Sequence, residues 1–283
     1  MYIYYNGEFM AKGIIKHTAA GFQYGHGVFE TILVRQGVPC FFEMHFERLT
    51  KASDSLGLKL ELSVDEMQQQ AVKLASLCST QEGRLKIISF RDEDKDALMM
   101  TISHYQREER KYEQGYSLMT SSIRRNPYSP LCYLKSLNYM ESILAKEEAK
   151  QQGYDEALLM NVHGKLCEGS MSNLFWFRGD TLFTPEVSCG LLKGITRKQV
   201  MEICHRLSIK LRQGTYTLSD LENADEVFVT NSLMGIMPVG SVDNIIYNKN
   251  DRDCTQTIVN EYNKLLEAYI DKGQKNKASN EEI

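Results

Sequence analysis

Turn residues and the spacing of apolar positions organise the first hundred residues. Tyr2-Ile3-Tyr4-Tyr5 and Glu8-Phe9-Met10 flank Asn6-Gly7, a dipeptide that fits a type I′ turn, so the chain opens on a hairpin. Residues 28–35 are rich in β-branched and aromatic side chains, Gln36-Gly37 turns, and residues 38–42 return as a second hairpin. The period then lengthens. Met44, Leu49, Ala52 and Leu56 approximate helical spacing and predict a helix over 43–56, which Gly57 stops. Ser63 with Glu66 three residues on is a capping box that opens a further helix. Residues 84–90 and 97–105 predict paired strands around the polar turn 91–96.

The stretch Arg124-Arg125-Asn126-Pro127-Tyr128-Ser129-Pro130 breaks this pattern, because two prolines and little apolar content mark a connector. The second half opens on a helix near Asn138, with Glu141 at its third position. Short strands follow over 156–162, 165–168, 173–177 and 181–184, with hairpin turns at His163-Gly164 and Arg178-Gly179-Asp180. A helix over 194–207, a strand over 226–230 and a closing helix over 254–270 complete the pattern. The expected organisation is a small α+β domain over 1–118, a connector over 119–131, a larger α/β domain over 132–271 and a polar, disordered tail over 272–283.

With 283 residues the chain can bury a sizeable core. Hydrophobic residues at 42% and charged residues at 25% are ordinary for a soluble globular protein. A net charge of −4 argues against a nucleic-acid or anionic-membrane partner. No apolar run is long enough to span a bilayer, and residues 1–10 carry no secretory signal. The seven cysteines are scattered and form no C-x-x-C pair, which fits reduced thiols and a cytoplasmic setting. No two of the six histidines stand at the i, i+4 spacing of zinc hydrolases, so no metal site is expected.

Five stretches carry candidate chemistry, and each also has a plain structural reading. Lys135, in Leu134-Lys135-Ser136-Leu137-Asn138-Tyr139, is by default a solvated surface lysine. Its functional reading is an amine that condenses with an aldehyde, which needs a lowered pKa and a fixed seat; Leu134 and Leu137 supply an apolar setting. Glu168, in Cys167-Glu168-Gly169-Ser170-Met171-Ser172-Asn173, is a loop acid or a carboxylate that keeps a proton on a pyridine nitrogen. Gly190-Leu191-Leu192-Lys193-Gly194-Ile195-Thr196-Arg197 is a loop and N-cap, or a phosphate cup built from the Ile195 and Thr196 N–H groups and the Thr196 hydroxyl. Phe22-Gln23-Tyr24-Gly25-His26-Gly27-Val28-Phe29-Glu30-Thr31 is a glycine turn before a strand, and a phosphate loop is ruled out because no helix follows. Downstream, Arg48 lies in His45-Phe46-Glu47-Arg48-Leu49 on a helix, ordinarily a surface place. Lastly, a buried strand from Phe228 ends in the polar turn Asn231-Ser232-Leu233, which is turn chemistry or a ligand contact.

Taken in order, Y-G-x-G-V-F-E-T, H-x-x-R-L, K-S-L-N-Y, E-G-S-x-S-N-x-F, G-I-T-R and T-N-S-x-x-G-I-x-P-V resemble the fold-type IV (class IV) pyridoxal-phosphate enzymes. These are the branched-chain aminotransferases, D-amino-acid aminotransferases and aminodeoxychorismate lyases, and the matching blocks cover about residues 3 to 240. The resemblance implies an α+β fold, the two-domain D-amino-acid aminotransferase-like or branched-chain aminotransferase-like fold, with 132–271 binding the cofactor pyridoxal 5'-phosphate. It implies Lys135 as the Schiff-base lysine and catalytic base, and Glu168 as the partner of the pyridine nitrogen. Arg48, Ile195 and Thr196 match phosphate binders, and Ser232 a phosphate or substrate contact. Leu192 matches the residue against the ring face, Tyr139 a contact to the ring oxygen, and Phe29, Asn231 and Leu233 substrate contacts. The implied partners are a small-molecule amino substrate and a second copy of the chain in a homodimer.

Within the family, D-amino-acid aminotransferases carry an Arg-x-His pair where this chain has Arg91-Asp92-Glu93, and branched-chain enzymes carry Gly-Thr-Ala at Asn231-Ser232-Leu233. His26 stands where the family motif has Asp. The turn at 230–239, Arg125-Asn126-Pro127 and Asn173-Leu174-Phe175-Trp176 look closest to the aminodeoxychorismate lyases. The resulting expectation is a lyase that releases 4-aminobenzoate and pyruvate, a step of folate biosynthesis. The alternatives are a branched-chain or D-amino-acid aminotransferase and, from another class, a non-catalytic binding protein on the same fold.

Overall fold

A computed structural model describes residues 2–11, 13, 15–248 and 252–281, with side chains to residue 275. In chain order the elements begin β1 (Ile3–Tyr5), β2 (Glu8–Met10), α1 (Ala20–Tyr24), β3 (Gly27–Arg35), β4 (Val38–Pro39), α2 (Phe42–Ser55), α3 (Val64–Leu77), β5 (Gly83–Asp92) and β6 (Lys95–His104). There follow α4 (Glu109–Gln114), β7 (Tyr116–Arg125), α5 (Met140–Gln151), β8 (Glu156–Asn161), β9 (Leu166–Gly169), β10 (Asn173–Arg178) and β11 (Thr181–Pro185). The chain ends with α6 (Ile195–Arg206), β12 (Lys210–Gly214), α7 (Ser219–Glu222), β13 (Glu226–Asn231), β14 (Gly235–Val242), β15 (Ile245–Ile246) and α8 (Asp253–Glu281).

Contacts group these elements into two compact units. The first comprises Met1–Gln106, Leu134–Asn138 and Lys264–Ile283; the second comprises Arg107–Tyr133 and Tyr139–Asn263. Strand β7 and the Pro127 turn after it therefore belong to the second unit, and the short stretch around Lys135 belongs to the first.

In the first unit local chemistry sets the hairpins. Asn6 and Gly7 both take positive φ, 44° and 97°, as a type I′ turn requires. Gln36 and Gly37 do the same between β3 and β4. The second hairpin is shorter than its apolar run, because Pro39 has no N–H for the ladder and Phe42 already starts α2. Strands β5 and β6 are longer than expected: their pairing runs to Asp92 opposite Lys95, which narrows the polar turn to Glu93-Asp94. The sheet order is β2-β1-β6-β5-β3-β4, antiparallel throughout. Its inner face presents Val28, Ile32, Val34, Leu85, Ile87, Met100 and Ile102 to α2 and α3. Helix α3 begins at Ser63 with the full capping box. On α2 the buried stripe is Phe42, His45, Leu49 and Ala52, so His45 takes the inward place expected of Met44. The polar stretch from Lys272, expected as disordered, continues α8 as helix through Glu281. Gly273 lies against Val38 there, and Gln274 donates to Gln36 at 2.6 Å.

The second unit is a sheet ordered β12-β11-β10-β13-β14-β7-β8-β9, with β9 also pairing β10. That last pairing, Asn173 opposite Glu168, closes six strands into a barrel. Closure explains why β8 is buried on both faces. Leu158 points into the core with Leu174, Trp176 and Val229, while Ala157 and Leu159 pack on Ala145 and Ala149 of α5. Helix α5 starts after Tyr139 rather than at Asn138, whose side-chain amide instead donates to the Gly25 carbonyl in the first unit.

Residues 135–137 reach β3 by main-chain bonds. The Phe29 N–H donates to the Lys135 carbonyl at 2.8 Å, the Leu137 N–H donates to the Gly27 carbonyl at 2.9 Å, and Val28 and Ser136 form an antiparallel bridge. Gly27 leaves no room at this junction: a Cβ there would lie 2.7 Å from Leu137 Cδ1 and 2.7 Å from the Ser89 carbonyl oxygen. Gly27→Ala is expected to destabilise the protein by about 1–3 kcal/mol, since the backbone oxygen cannot yield. Urea unfolding checks this, and an unchanged midpoint would mean that the junction is looser than its geometry indicates.

Candidate active site

Two groups of candidate residues form, one in each unit. In the first unit Lys135 is half-buried, with Nζ 4.5 Å from the centroid of the Phe29 ring. Strand β3 supplies that ring, and the main-chain bonds above fix the lysine's own backbone. A second lysine, Lys86 of β5, stands 4.6 Å from the same centroid. Burial, with help from the nearby Arg84 charge, holds the Lys86 amine below its ordinary pKa.

Arg48, on α2, is anchored at Glu30 on β3. Its Nε donates to Glu30 Oε1 at 2.7 Å and its Nη2 to Oε2 at 2.6 Å. His45, one turn earlier on α2, bonds Glu30 Oε2 through Nδ1 at 2.7 Å. Glu30 and His45 are each 1% exposed at the side chain, and Arg48 16%. Burial pushes the Glu30 carboxyl up, but the charges and hydrogen bonds of Arg48 and His45 together overcome it and bring the value to about 2. Burial also pushes the His45 pKa down, against the upward pull of Glu30. The cluster is therefore an ionised carboxylate, a guanidinium and a neutral imidazole whose Nδ1–H donates.

In the second unit Glu168 lies in β9, one residue before its end, as a buried carboxylate. Its Oε1 accepts from Arg125 Nη2 at 3.3 Å, and its Oε2 accepts from Asn173 Nδ2 at 3.2 Å and from the Leu192 N–H at 3.0 Å. Arg125 also donates to the Ser142 hydroxyl at 2.8 Å. Burial works against the Arg125 cation more than any single neighbour favours it, yet Glu168 together with Cys132, Tyr139 and Glu141 outweighs it and raises the arginine's pKa. A guanidinium this close favours the charged form of the carboxylate. Asn173 also donates to the Leu192 carbonyl at 2.9 Å, so one side chain ties the loop before α6 to Glu168.

Helix α6 begins at Ile195 with Gly194 as N-cap and no side-chain cap. Ile195 and Thr196 are buried at its first turn, where backbone N–H groups have no intrahelical acceptor. Gly194 is required by space: a Cβ would sit 2.0 Å from Asn173 Oδ1. Asn231 ends β13 and shapes the turn, its Oδ1 accepting from the Leu233 N–H at 3.0 Å and the Met234 N–H at 2.9 Å. Ser232 and Leu233 are half-buried in that turn, and the neighbouring Thr230 Oγ1 is buried with no partner among the described residues. Tyr139 is the half-buried residue before α5.

Several residues absent from the expected site complete these groups: Glu30 and His45 in the first unit, Arg125 and Asn173 in the second. Glu30 has a readable signal, since it shares the inward face of a strand with Val28, Ile32 and Val34, where an unpaired acid is costly. Arg125 and Asn173 stand in stretches that resemble the family, but their tie to Glu168 has no local signal, because it depends on barrel closure. Among the described residues, no group of three or more His, Cys, Asp or Glu side chains could hold a metal, and no helix is long and apolar enough to cross a membrane.

Residues 27–242 match the family model for amino-transferase class IV. The chain is 28% identical over 282 residues to the aminodeoxychorismate lyase of Bacillus subtilis (strain 168), covering 95% of this chain and 96% of that protein. It is similar to the crystal structure of 4-amino-4-deoxychorismate lyase from Pseudomonas aeruginosa, with a TM-score of 0.82 and 26% identity over 92% of this chain and 97% of that one. It is also similar to the crystal structure of the Escherichia coli branched-chain amino acid aminotransferase, with a TM-score of 0.87 and 26% identity over 94% of each chain. These matches share the mixed helix-and-sheet fold with its barrel. The chain belongs to the class IV aminotransferase family of pyridoxal-phosphate-dependent lyases and aminotransferases.

Proposed function

We propose that this chain binds pyridoxal 5'-phosphate and acts as a 4-amino-4-deoxychorismate lyase, releasing 4-aminobenzoate and pyruvate for folate biosynthesis in the cytoplasm. The observation that carries the cofactor reading is the Glu168 network. A carboxylate buried in a barrel and paired with Arg125 suits the protonated nitrogen of a pyridine ring. The start of α6 suits the phosphate, with Gly194 pressed against Asn173 and first-turn N–H groups lacking helical acceptors.

Bound pyridoxal phosphate supplies an aldehyde that takes up amines and a ring that spreads the electron pair left when a carbon loses its proton. The chain supplies position and protons. Lys135 Nζ would hold the cofactor's aldehyde carbon and, once free, would serve as the base for the proton on the amine-bearing carbon of the substrate. Glu168 would accept the ring N–H and keep that proton in place. The Ile195 and Thr196 N–H groups, the Thr196 hydroxyl, Arg48 and Ser232 hold the phosphate. Leu192 would lie against the ring and Tyr139 would meet its oxygen. Phe29, Asn231 and Leu233 border the substrate.

Leu233 stands against the branched-chain reading, because it is bulkier than the small residues with which those enzymes form their carboxylate pocket. The end-to-end match to the Bacillus subtilis lyase supports the same reading. An aminotransferase uses the same Lys135 and Glu168, and the similarity to a branched-chain enzyme keeps it as the second reading.

Helix α5 supports a homodimer. It turns Ser142, Ala145 and Ala149 inward yet exposes Met140, Ile143 and Leu144 along the opposite side. An apolar stripe there suits a second copy of the chain.

The purified protein is expected to be yellow, and Lys135→Ala to lower turnover at least about a hundredfold; a colourless protein that takes up no pyridoxal phosphate would point to a non-catalytic binding protein instead. Supplied with aminodeoxychorismate and no keto acid, the enzyme is expected to release pyruvate. Acceptor-dependent amino transfer without pyruvate would establish the aminotransferase reading. Sedimentation is expected to show a dimer that the Ile143→Asp/Leu144→Asp double variant dissociates, and a monomeric wild type would reject the α5 interface.

A further inference from the structure

We propose that Glu30 and His45 are positioning residues for the cofactor's phosphate: without touching the ligand, they fix the plane and direction of the Arg48 guanidinium that grips it. The inference rests on the reading of Arg48 as a phosphate contact.

The starting observation is a charge in the wrong place for packing. Glu30 lies on the inward face of β3 among Val28, Ile32 and Val34, with 1% of its side chain exposed. A buried ion pair adds little stability compared with well-packed apolar residues. Position is what this carboxylate supplies. It engages Arg48 through two nitrogens at once, Nε at 2.7 Å and Nη2 at 2.6 Å, which defines the guanidinium plane as a single hydrogen bond could not. The Nε–Nη2 edge is thereby committed to Glu30, and the edge bearing Nη1 is turned the other way. His45 closes the arrangement from α2, its ring bonding Glu30 Oε2 at 2.7 Å so that the carboxylate cannot swing with the arginine. Holding a long side chain in one orientation before the ligand arrives removes an ordering cost from binding.

Charge and position make opposite predictions here. Glu30 neutralises most of the Arg48 charge, and His45 stays neutral because burial pushes its pKa down. If net charge governed phosphate binding, removing the carboxylate would strengthen it. If position governs, removing the carboxylate frees the arginine and weakens it.

The test uses the full chain stripped of cofactor and measures affinity for pyridoxal phosphate and for pyridoxal, which lacks the phosphate, by absorbance titration. Glu30→Gln is expected to weaken pyridoxal phosphate binding about tenfold or more, the loss of one charged hydrogen bond or more, and to leave pyridoxal binding unchanged. Arg48→Gln is expected to do the same, and the double variant to be no worse than Arg48→Gln alone. Unchanged or tighter pyridoxal phosphate binding in Glu30→Gln, with Arg48→Gln impaired, would overturn the positioning role while leaving the Arg48 contact intact. Equal losses for both ligands would also overturn it, as the sign of a general structural defect. An Arg48→Gln variant that binds pyridoxal phosphate normally would remove the contact and the inference together. Should Glu30→Gln fail to fold, Glu30→Asp carries the same test, since it keeps the charge and withdraws the carboxylate by one methylene. His45→Gln, which frees the carboxylate, is expected to show a smaller loss of the same kind.

Discussion

The short main-chain pairing of residues 135–137 with the start of β3 is the constraint on which the first unit's chemistry depends. Two hydrogen bonds, at 2.8 and 2.9 Å, give Lys135 a backbone as fixed as that of a strand. The same strand carries the Phe29 ring on one face and Glu30 on the other. One strand thus sets a lysine amine through its outer face and an arginine through its inner face. Gly27, with no space for a Cβ, is the point where the pairing begins.

The second unit works on the same principle with a different device. Closing the barrel through Asn173 and Glu168 places a carboxylate, an amide and the loop before α6 in one hydrogen-bonded set. Arg125, at the end of β7, arrives from another strand of the barrel and pairs with the carboxylate. Removing the arginine alone would leave a buried charge, which is far more costly than removing both.

Local features are legible in the amino-acid sequence alone. Asn6-Gly7, Gln36-Gly37, the Ser63 capping box and the Gly194 helix start all depend on neighbours within a few residues, and each appears where its chemistry dictates. Positions that depend on distant partners are not legible in this way. Nothing near Lys135 signals its pairing with a strand a hundred residues earlier, and the parallel pairing of β7 with β14 and β8 has no local signature. His45 on α2 gives no sign of being inward, because a histidine fits a buried stripe only when a partner such as Glu30 faces it. The helical continuation of α8 past Lys272 is hidden for a related reason, since the contacts of Gly273 with Val38 and of Gln274 with Gln36 come from the other end of the chain.

The central claim is that the seat built by β3 makes Lys135, and no other lysine, the carrier of the cofactor. Lys86 is a strong internal competitor: it is half-buried, its amine is held below the ordinary pKa by burial, and it lies over the same ring. Borohydride reduction of the yellow protein, followed by mass mapping of the pyridoxyl-bearing peptide, separates the two. The expected result is a label on Lys135 alone; a label on Lys86 or on any other lysine would contradict the claim.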